Sequence, residues 1–337
     1  MRLSRRHLFG LAAGTALAPL FGRRGEARAA KPTPIEIRAT PIASFLPSDP
    51  QRRRFGALLF RSGLQLSGRH DDFGGWSGLW RSADGRELVA LSDQASWLTA
   101  RPVYAGGRLS GLEAASIGPV LGADGGPLWR GRAYDTEALT ISGGTAYVAI
   151  ERVHQVMRFD WGKHGMLARG HAVPVPREAR RLPANKSFEA IGAAPQGSPL
   201  AGAVVAIAER SHRGDDAPTL GVILGGPRPG IFQLTRHGGY EITDLAFLPG
   251  GDMLVLERWF KLLKGMGMRI RRISGRDLKP GALLDGPVLI EADFGHEVDN
   301  MEGLAVHQEG GKTMLTLISD DNFSIFQRTL LLEFELA

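Results

Sequence analysis

One arrangement recurs five times along the chain and constrains its fold more than any other feature. "WSGLWRSADGRELVALSD" runs from Trp76 to Asp93, "EALTISGGTAYVAIER" from Glu137 to Arg152 and "FEAIGAAPQGSPLAGAVVAIAER" from Phe188 to Arg210. "ITDLAFLPGGDMLVLER", from Ile242 to Arg258, and "MEGLAVHQEGGKTMLTLISDD", from Met301 to Asp321, complete the set. Each carries a polar residue within its first three positions, passes through a Gly-containing turn into an apolar strand, and closes on Ser-Asp or Glu-Arg. The lead positions are Ser77, Glu137, Glu189, Asp244 and Glu302, with Asp244 open to a one-residue offset. Their separations are 60, 52, 55 and 58 residues. Strand pairs with Gly-rich turns at a period of roughly 50 residues are the signature of a β-propeller.

The remaining sequence agrees. Short apolar runs and period-2 alternation dominate, and no amphipathic helical pattern of useful length follows the first 30 residues. The expected fold is therefore all-β, one propeller of five or six blades. Residues 31–70 and the C-terminal "RTLLLEFELA" either build a sixth blade together or close the fifth. Pairing the two termini removes the exposed sheet edges that an open ring would leave. Segments such as "AAPQGSPLAG" and "GGPRPG" read as loops within blades, so residues 31–337 form one domain.

Residues 1–30 read as an export signal. Arg5-Arg6 precede the short apolar run "LAAGTALAPLF", and small residues ending at Ala30 suit cleavage. Paired arginines indicate the twin-arginine route and a periplasmic or secreted product. The apolar run is too short for the ~30 Å hydrocarbon core, and no membrane span is expected in the mature chain. The segment carries six Arg and one Glu, so it holds +5 of the formal net charge of +6. The mature chain is near neutral, which removes charge as an argument for nucleic acid. The absence of Cys excludes thiolate metal sites and a Cys nucleophile.

In a propeller the first strand of each blade lines the axis. The charged ends of the five hairpins then meet at one mouth. Glu137, Glu189, Asp244 and Glu302 are the candidate catalytic acids. Asp93, Asp320, Asp321 and Asn322 join Glu137, Glu189 and Glu302 as candidate metal ligands. Hard oxygen donors of this kind suit Ca²⁺ or Mg²⁺, with calcium the expected cation. Arg152, Arg210, Arg258 and Lys186 are candidates for holding an anionic substrate. Each Arg also has a plain structural reading, as the partner of a neighbouring acid.

Taken together, "FGGWSGL", "LVALSD", "EALT", "AYVAIER", "NKSFEAI", "LVLERWF", "NMEGLAV", "ISDDNFS" and "QRTLLLEFEL" resemble the bacterial phytase-like proteins, a domain described by esterase-like activity. The resemblance covers roughly residues 55–337. It implies a secreted propeller that hydrolyses phosphoesters or carboxyl esters. Ser187-Phe188-Glu189-Ala190 departs from the pattern, where a Gly is expected on either side of the Glu, and so does Trp259. The expected chemistry is metal-assisted ester hydrolysis by activated water, acting on a small anionic or ester substrate. Two alternatives use the same fold: a non-catalytic propeller that binds a ligand or protein partner, and a calcium-dependent lactonase. The sequence holds no G-x-S-x-G elbow and no H-E-x-x-H motif.

Overall fold

A computed structural model describes residues 31–131, 134–183, 186–211, 213–214, 216–261 and 265–337. The export signal read over residues 1–30 lies outside them. Five sheets stand side by side around one axis, each inner strand packed against the inner strands of its two neighbours. Blade 1 runs outward through Trp76–Arg81, Leu88–Ser92, Ser96–Ala105 and Arg108–Pro119. Blade 2 uses Thr136–Ser142, Thr145–Ile150, Gln155–Asp160 and His171–Val173. Blade 3 uses Phe188–Ala193, Val204–Ala208, Thr219–Leu224 and Gly230–Leu234, with Leu283–Leu284 added in parallel. Blade 4 uses Glu241–Phe247, Met253–Lys261, Gly265–Ile273 and Val288–Asp293.

Blade 5 joins the two ends of the chain. Its inner strands are Asn300–Glu309, Lys312–Asp320 and Thr329–Leu336, all from the C-terminus. Leu58–Gly68 then pairs antiparallel with Thr329–Leu336, and Ile37–Ile42 pairs outside it. The N-terminal segment thus closes the fifth blade and does not build a sixth. Residues Thr33–Pro34 continue onto the outer edge of blade 1.

The core is five wedges, one in each gap between blades. Leu254, Leu256 and Ile270 of blade 4 face Leu315, Leu317 and Leu332 of blade 5. Met253 and Val255 of the same blade-4 strand face Ile207 and Ile223 of blade 3. Alternate residues of one strand therefore bury into opposite gaps. That is why the second strands read as unbroken apolar runs, such as "VVAIA" at Val204–Ala208, all buried. In such a strand charge is left to the ends, at the mouths of the ring.

Candidate functional site

Every inner strand carries a β-bulge next to its start. The pairing slips between Trp76 and Gly78 in blade 1, leaving Ser77 without an opposite residue. The same slip leaves Glu137, Glu189, Thr243 and Glu302 unpaired in blades 2 to 5. A bulge inserts one residue and re-aims its side chain. Repeated five times, it makes a ring of Ser77, Glu137, Glu189, Thr243 and Glu302 at one mouth.

The bulges fix the register of the flanking positions. One residue past the partner of the residue that precedes the bulge, the five blades place Asp93, Glu151, Glu209, Arg258 and Asp320. Two residues before the bulge, they place Gly75, Asp135, Ser187, Glu241 and Asn300. Backbone bonds join these two sets. Asp93 N–H donates to the Gly75 carbonyl at 2.8 Å, Glu151 N–H to Asp135 at 2.9 Å and Glu209 N–H to Ser187 at 2.8 Å. The mouth is thus three stacked rings in which nine carboxylates surround the single guanidinium of Arg258. Beneath them the inner strands line a cavity of about 140 Å³, walled by Leu79, Leu139, Gly192, Leu245 and Leu304.

Arg258 occupies the place that the other four blades give to a carboxylate. Its Nη2 lies 3.3 Å from Glu302, 3.8 Å from Glu209 and 4.0 Å from Glu241. Its Nη1 donates to Asn300 Oδ1 at 2.7 Å. The neighbouring carboxylates, led by Glu302, hold the guanidinium firmly charged against its burial. The buried Arg258 Nε has no hydrogen-bond partner. Glu257, the residue before, points the other way and is held by Arg269 and Arg271 inside blade 4.

Even with Lys186 on Glu209, Arg152 on Asp135 and Arg210 on Glu241 at the rim, the cations beside Arg258 are too few to neutralise nine acids. Burial and then the charge of Glu302 raise Glu137 well above the usual carboxylate range. Burial and then Glu137 do the same to Glu189, and burial followed by Glu302 does so to Asp320. Glu302 itself is raised by burial, although Arg258, Asn300 and Ser77 pull it back. Asp93 is pushed to about 7 by burial and Glu302. Glu151 is pushed to about 7 by burial and Asp135. Such a cluster is stable when it holds protons or a cation.

Two overlapping triads have the geometry for a cation. One ligand oxygen each from Asp135, Glu137 and Glu151 lie within 4.8 Å of one another, and so do oxygens of Glu151, Glu189 and Glu209. Oxygens so spaced fit around one ion with metal–oxygen distances of ~2.3–2.6 Å, and an all-carboxylate set suits Ca²⁺ or Mg²⁺. The orphaned Nε of Arg258 offers a donor to an anion beside the same cluster.

The structure distributes the sequence-derived candidates unevenly. It brings Glu137, Glu189, Glu302, Asp93, Asp320 and Arg258 to the mouth. Lys186 joins them through Glu209, 2.8 Å from its Nζ. Asp244 sits one residue inside the bulge ring and is fully buried. Its carboxylate accepts from Leu245 N–H at 2.8 Å and from Leu304 N–H of blade 5 at 2.7 Å, tying inner strands together. Thr243, not Asp244, holds the lead position of blade 4. Arg152 and Arg210 lie one position further out than Arg258. Arg152 pairs with Asp135 at 2.7 Å over the Tyr134 ring, and Arg210 pairs with Glu241. Asp321 is already occupied, accepting from the Gly75 N–H of blade 1, the Phe323 N–H and the Thr329 hydroxyl. Asn322 is exposed and its amide donates to Gln327 at 3.1 Å. Sequence reasoning does not single out Asp135, Glu209 or Glu241. Their signal is positional, a fixed offset from the bulge residue.

A sequence profile of the family described as "Phytase-like: Esterase-like activity of phytase" matches residues 71–323. The chain belongs to the phytase-like family. The matched span contains all three rings of the mouth, so the site described here lies in the family's own domain. No curated protein matches the phytase-like chain. Among solved structures, hydrazine synthase of Kuenenia stuttgartiensis is similar with a TM-score of 0.41 and 14% identity, covering 74% of this chain and 78% of its own. The PQQ-bound aldose sugar dehydrogenase of Streptomyces coelicolor is similar with a TM-score of 0.38 and 10% identity, covering 92% of this chain and 99% of its own. Neither likeness bears on the chemistry of the phytase-like mouth. Among the described residues no helix is long and apolar enough to cross a membrane.

Proposed function

We propose that the protein is an exported phytase-like hydrolase that cleaves phosphoesters or related anionic esters at the acidic mouth, with a divalent cation, calcium by preference. One observation carries this reading. Five aligned bulges gather nine carboxylates around one arginine, and two carboxylate triads there are spaced for an ion. The cation would be held by Asp135, Glu137 and Glu151, or by Glu151, Glu189 and Glu209. When bound, it would neutralise these acids and polarise an ester or phosphoryl oxygen.

The chain's own residues account for the rest. Arg258, charged and with a free Nε–H, holds an anionic oxygen of the substrate. Asp93, at about 7 and outside both triads, gives and takes protons near neutral pH, whereas Glu151, common to both triads, would be held ionised by the cation. Glu137 and Glu189 ionise fully only when a cation occupies the site. Export rests on the Arg5-Arg6 leader and places the activity in the periplasm or outside the cell.

The test is turnover of p-nitrophenyl phosphate and p-nitrophenyl acetate by the mature chain, with Ca²⁺ and after chelation, beside calorimetric titration with Ca²⁺. Calcium-dependent turnover that is lost in Glu151→Gln is expected. Turnover of neither ester, with no heat of Ca²⁺ binding, overturns the reading. Ca²⁺ binding without turnover of either ester leaves a ligand-binding propeller and removes the hydrolase.

A further inference from the structure

Large apolar side chains in water are concentrated on one side of the acidic mouth. Among the described residues seven large hydrophobics are exposed, and four of them stand at the mouth end of blades 4 and 5, Phe260 on the end of a strand and Phe294, Ile325 and Phe326 on connections. Ile325 is 93% exposed and Phe326 89%. In blades 1 and 2 the corresponding second-to-third-strand connections are tight turns, residues 93–95 and 151–154. Blades 4 and 5 replace that turn with projections.

Both projections are built structures. In blade 4 the hairpin continues past Arg258 through the pairs Trp259–Gly267, Phe260–Met266 and Lys261–Gly265. Three further residue pairs carry the two strands about 10 Å beyond Arg258. The Phe294 ring lies against Gly265, in the outermost of these pairs. In blade 5 the loop 321–328 is pinned from within. Asn322 N–H donates to Asp320 at 2.6 Å, Ser324 N–H to the Asp321 carbonyl at 2.7 Å and Arg328 N–H to Asp299 at 3.1 Å. Asn322 and Phe323 both adopt left-handed backbone conformations, at φ 48° and 49°, which non-glycine residues adopt at a cost. A strained, hydrogen-bonded loop therefore holds Ile325 and Phe326 out in solvent, where folding gains nothing from them.

We propose that this edge of the mouth face docks on a lipid–water interface, with Phe260, Phe294, Ile325 and Phe326 inserting among the lipids. The four side chains stand on three separate segments at the same end of the ring. A rigid protein partner would need a matching pocket for each, whereas a fluid interface accepts projecting tips without shape matching. The flank has the complementary chemistry. Lys261 has no carboxylate partner among the described residues, and its ammonium lies 5.8 Å from the Trp259 ring. An indole and an ammonium on either side of Phe260 suit the head-group layer, where both keep a polar end wet and Lys261 meets phosphate. The inference rests on blades 4 and 5 and does not require the cation proposed between blades 2 and 3.

Co-flotation of the mature chain with phosphatidylcholine vesicles tests it. The measurement is made in chelator, so loss of a cation cannot imitate loss of docking. Wild type is expected to float with the vesicles. The double variant Ile325→Ser, Phe326→Ser is expected to bind at least about tenfold more weakly, the scale of removing large apolar side chains from a lipid contact. Its melting temperature should be unchanged, because both side chains are already in water. Leu167→Ser is the control. Leu167 is 54% exposed but follows the strand that ends at Asp160, on the opposite face, and its loss should leave binding intact. Failure of wild type to bind vesicles overturns the proposal, as does equal binding by the double variant. Self-association of wild type that the double variant abolishes, without vesicle binding, assigns the patch to a second copy of the chain and also overturns it.

Discussion

Asp93 and Glu151 hold equivalent places on blades 1 and 2, and burial among other carboxylates lifts both to about 7. A carboxyl whose pKa is higher folded than unfolded binds its proton more tightly in the native state. The stability it contributes is complete below its unfolded value near 4 and is lost as pH rises through 7. The cation-free protein should therefore lose melting temperature between about pH 5 and pH 8. Calcium should restore most of that loss at the upper end and little at the lower end, where protons compete for the same oxygens. Glu151→Gln should flatten part of the fall, since an amide carries no charge to desolvate. A melting temperature constant across this window in chelator would remove the account of the mouth as an under-neutralised cluster. Asp285, held down to about 2 by hydrogen bonds and Arg271 against its burial, acts well below this range and does not obscure it. The acids Glu137, Glu189 and Glu302 are legible in the sequence because each opens a repeat. Asp135 and Glu209 are not, because their place depends on a pairing offset that no local pattern shows. Arg258 looks equivalent to Arg152 and Arg210, each following a Glu. The blade-4 register moves it one position inward and turns Glu257 away.

The bulged inner strand is the element that makes the site. Directly after the bulge, the blades carry Gly78, Ala138, Ala190, Asp244 and Gly303. At this point one inner strand meets the next, and space decides what is tolerated. A Cβ on Gly303 would lie 2.6 Å from Ile318 Cγ2 and 2.8 Å from Leu79 Cβ of blade 1. A Cβ on Gly78 would lie 2.9 Å from the backbone nitrogen of Leu139 in blade 2. Gly303→Ala should cost about 1–3 kcal/mol, the range for forcing an extra carbon into a packed interior. The check is the urea midpoint, which should fall while the slope of the transition stays the same. A midpoint equal to wild type would show that blades 5 and 1 can move apart at no cost. The existence of these strands follows from their apolar runs and Gly-rich turns. The bulge does not, because an inserted residue leaves the sequence of its own strand ordinary and shows only against its partner. Asp244 illustrates the limit. As an acid following a polar residue it reads as a lead position, and only the Ile242-to-Asp244 slip shows that Thr243 is the bulge.

At the scale of the whole ring, closure is the property on which every other depends. The three rings of the mouth need all five inner strands at fixed angles, and the strands from the two termini complete the blade that packs against blade 1, with Leu64, Leu331 and Glu333 meeting Leu79, Leu88 and Arg81. Both ends of the chain were readable as closing strands. Whether they share one blade or make a further one was not, because the Leu58–Gly68 to Thr329–Leu336 pairing spans nearly the whole sequence. The span matched by the family profile, 71–323, excludes both of these strands. A chain cut to that span retains every residue of the three rings and should still fail to form the site. It lacks Thr329–Leu336, which pairs with Lys312–Asp320, so that strand becomes an open edge. It also loses Leu64, Leu331, Leu332 and Phe334, all fully buried in the gaps on either side of blade 5. An unpaired apolar edge associates with others of its kind. The cut chain is expected as large oligomers by light scattering, without a cooperative thermal transition and without calcium binding. A chain starting at residue 31 and ending at 337 should melt in one transition. If the cut chain were monomeric and cooperative, the ring would not need its terminal strands, and the mouth would have to be held by the inner strands alone.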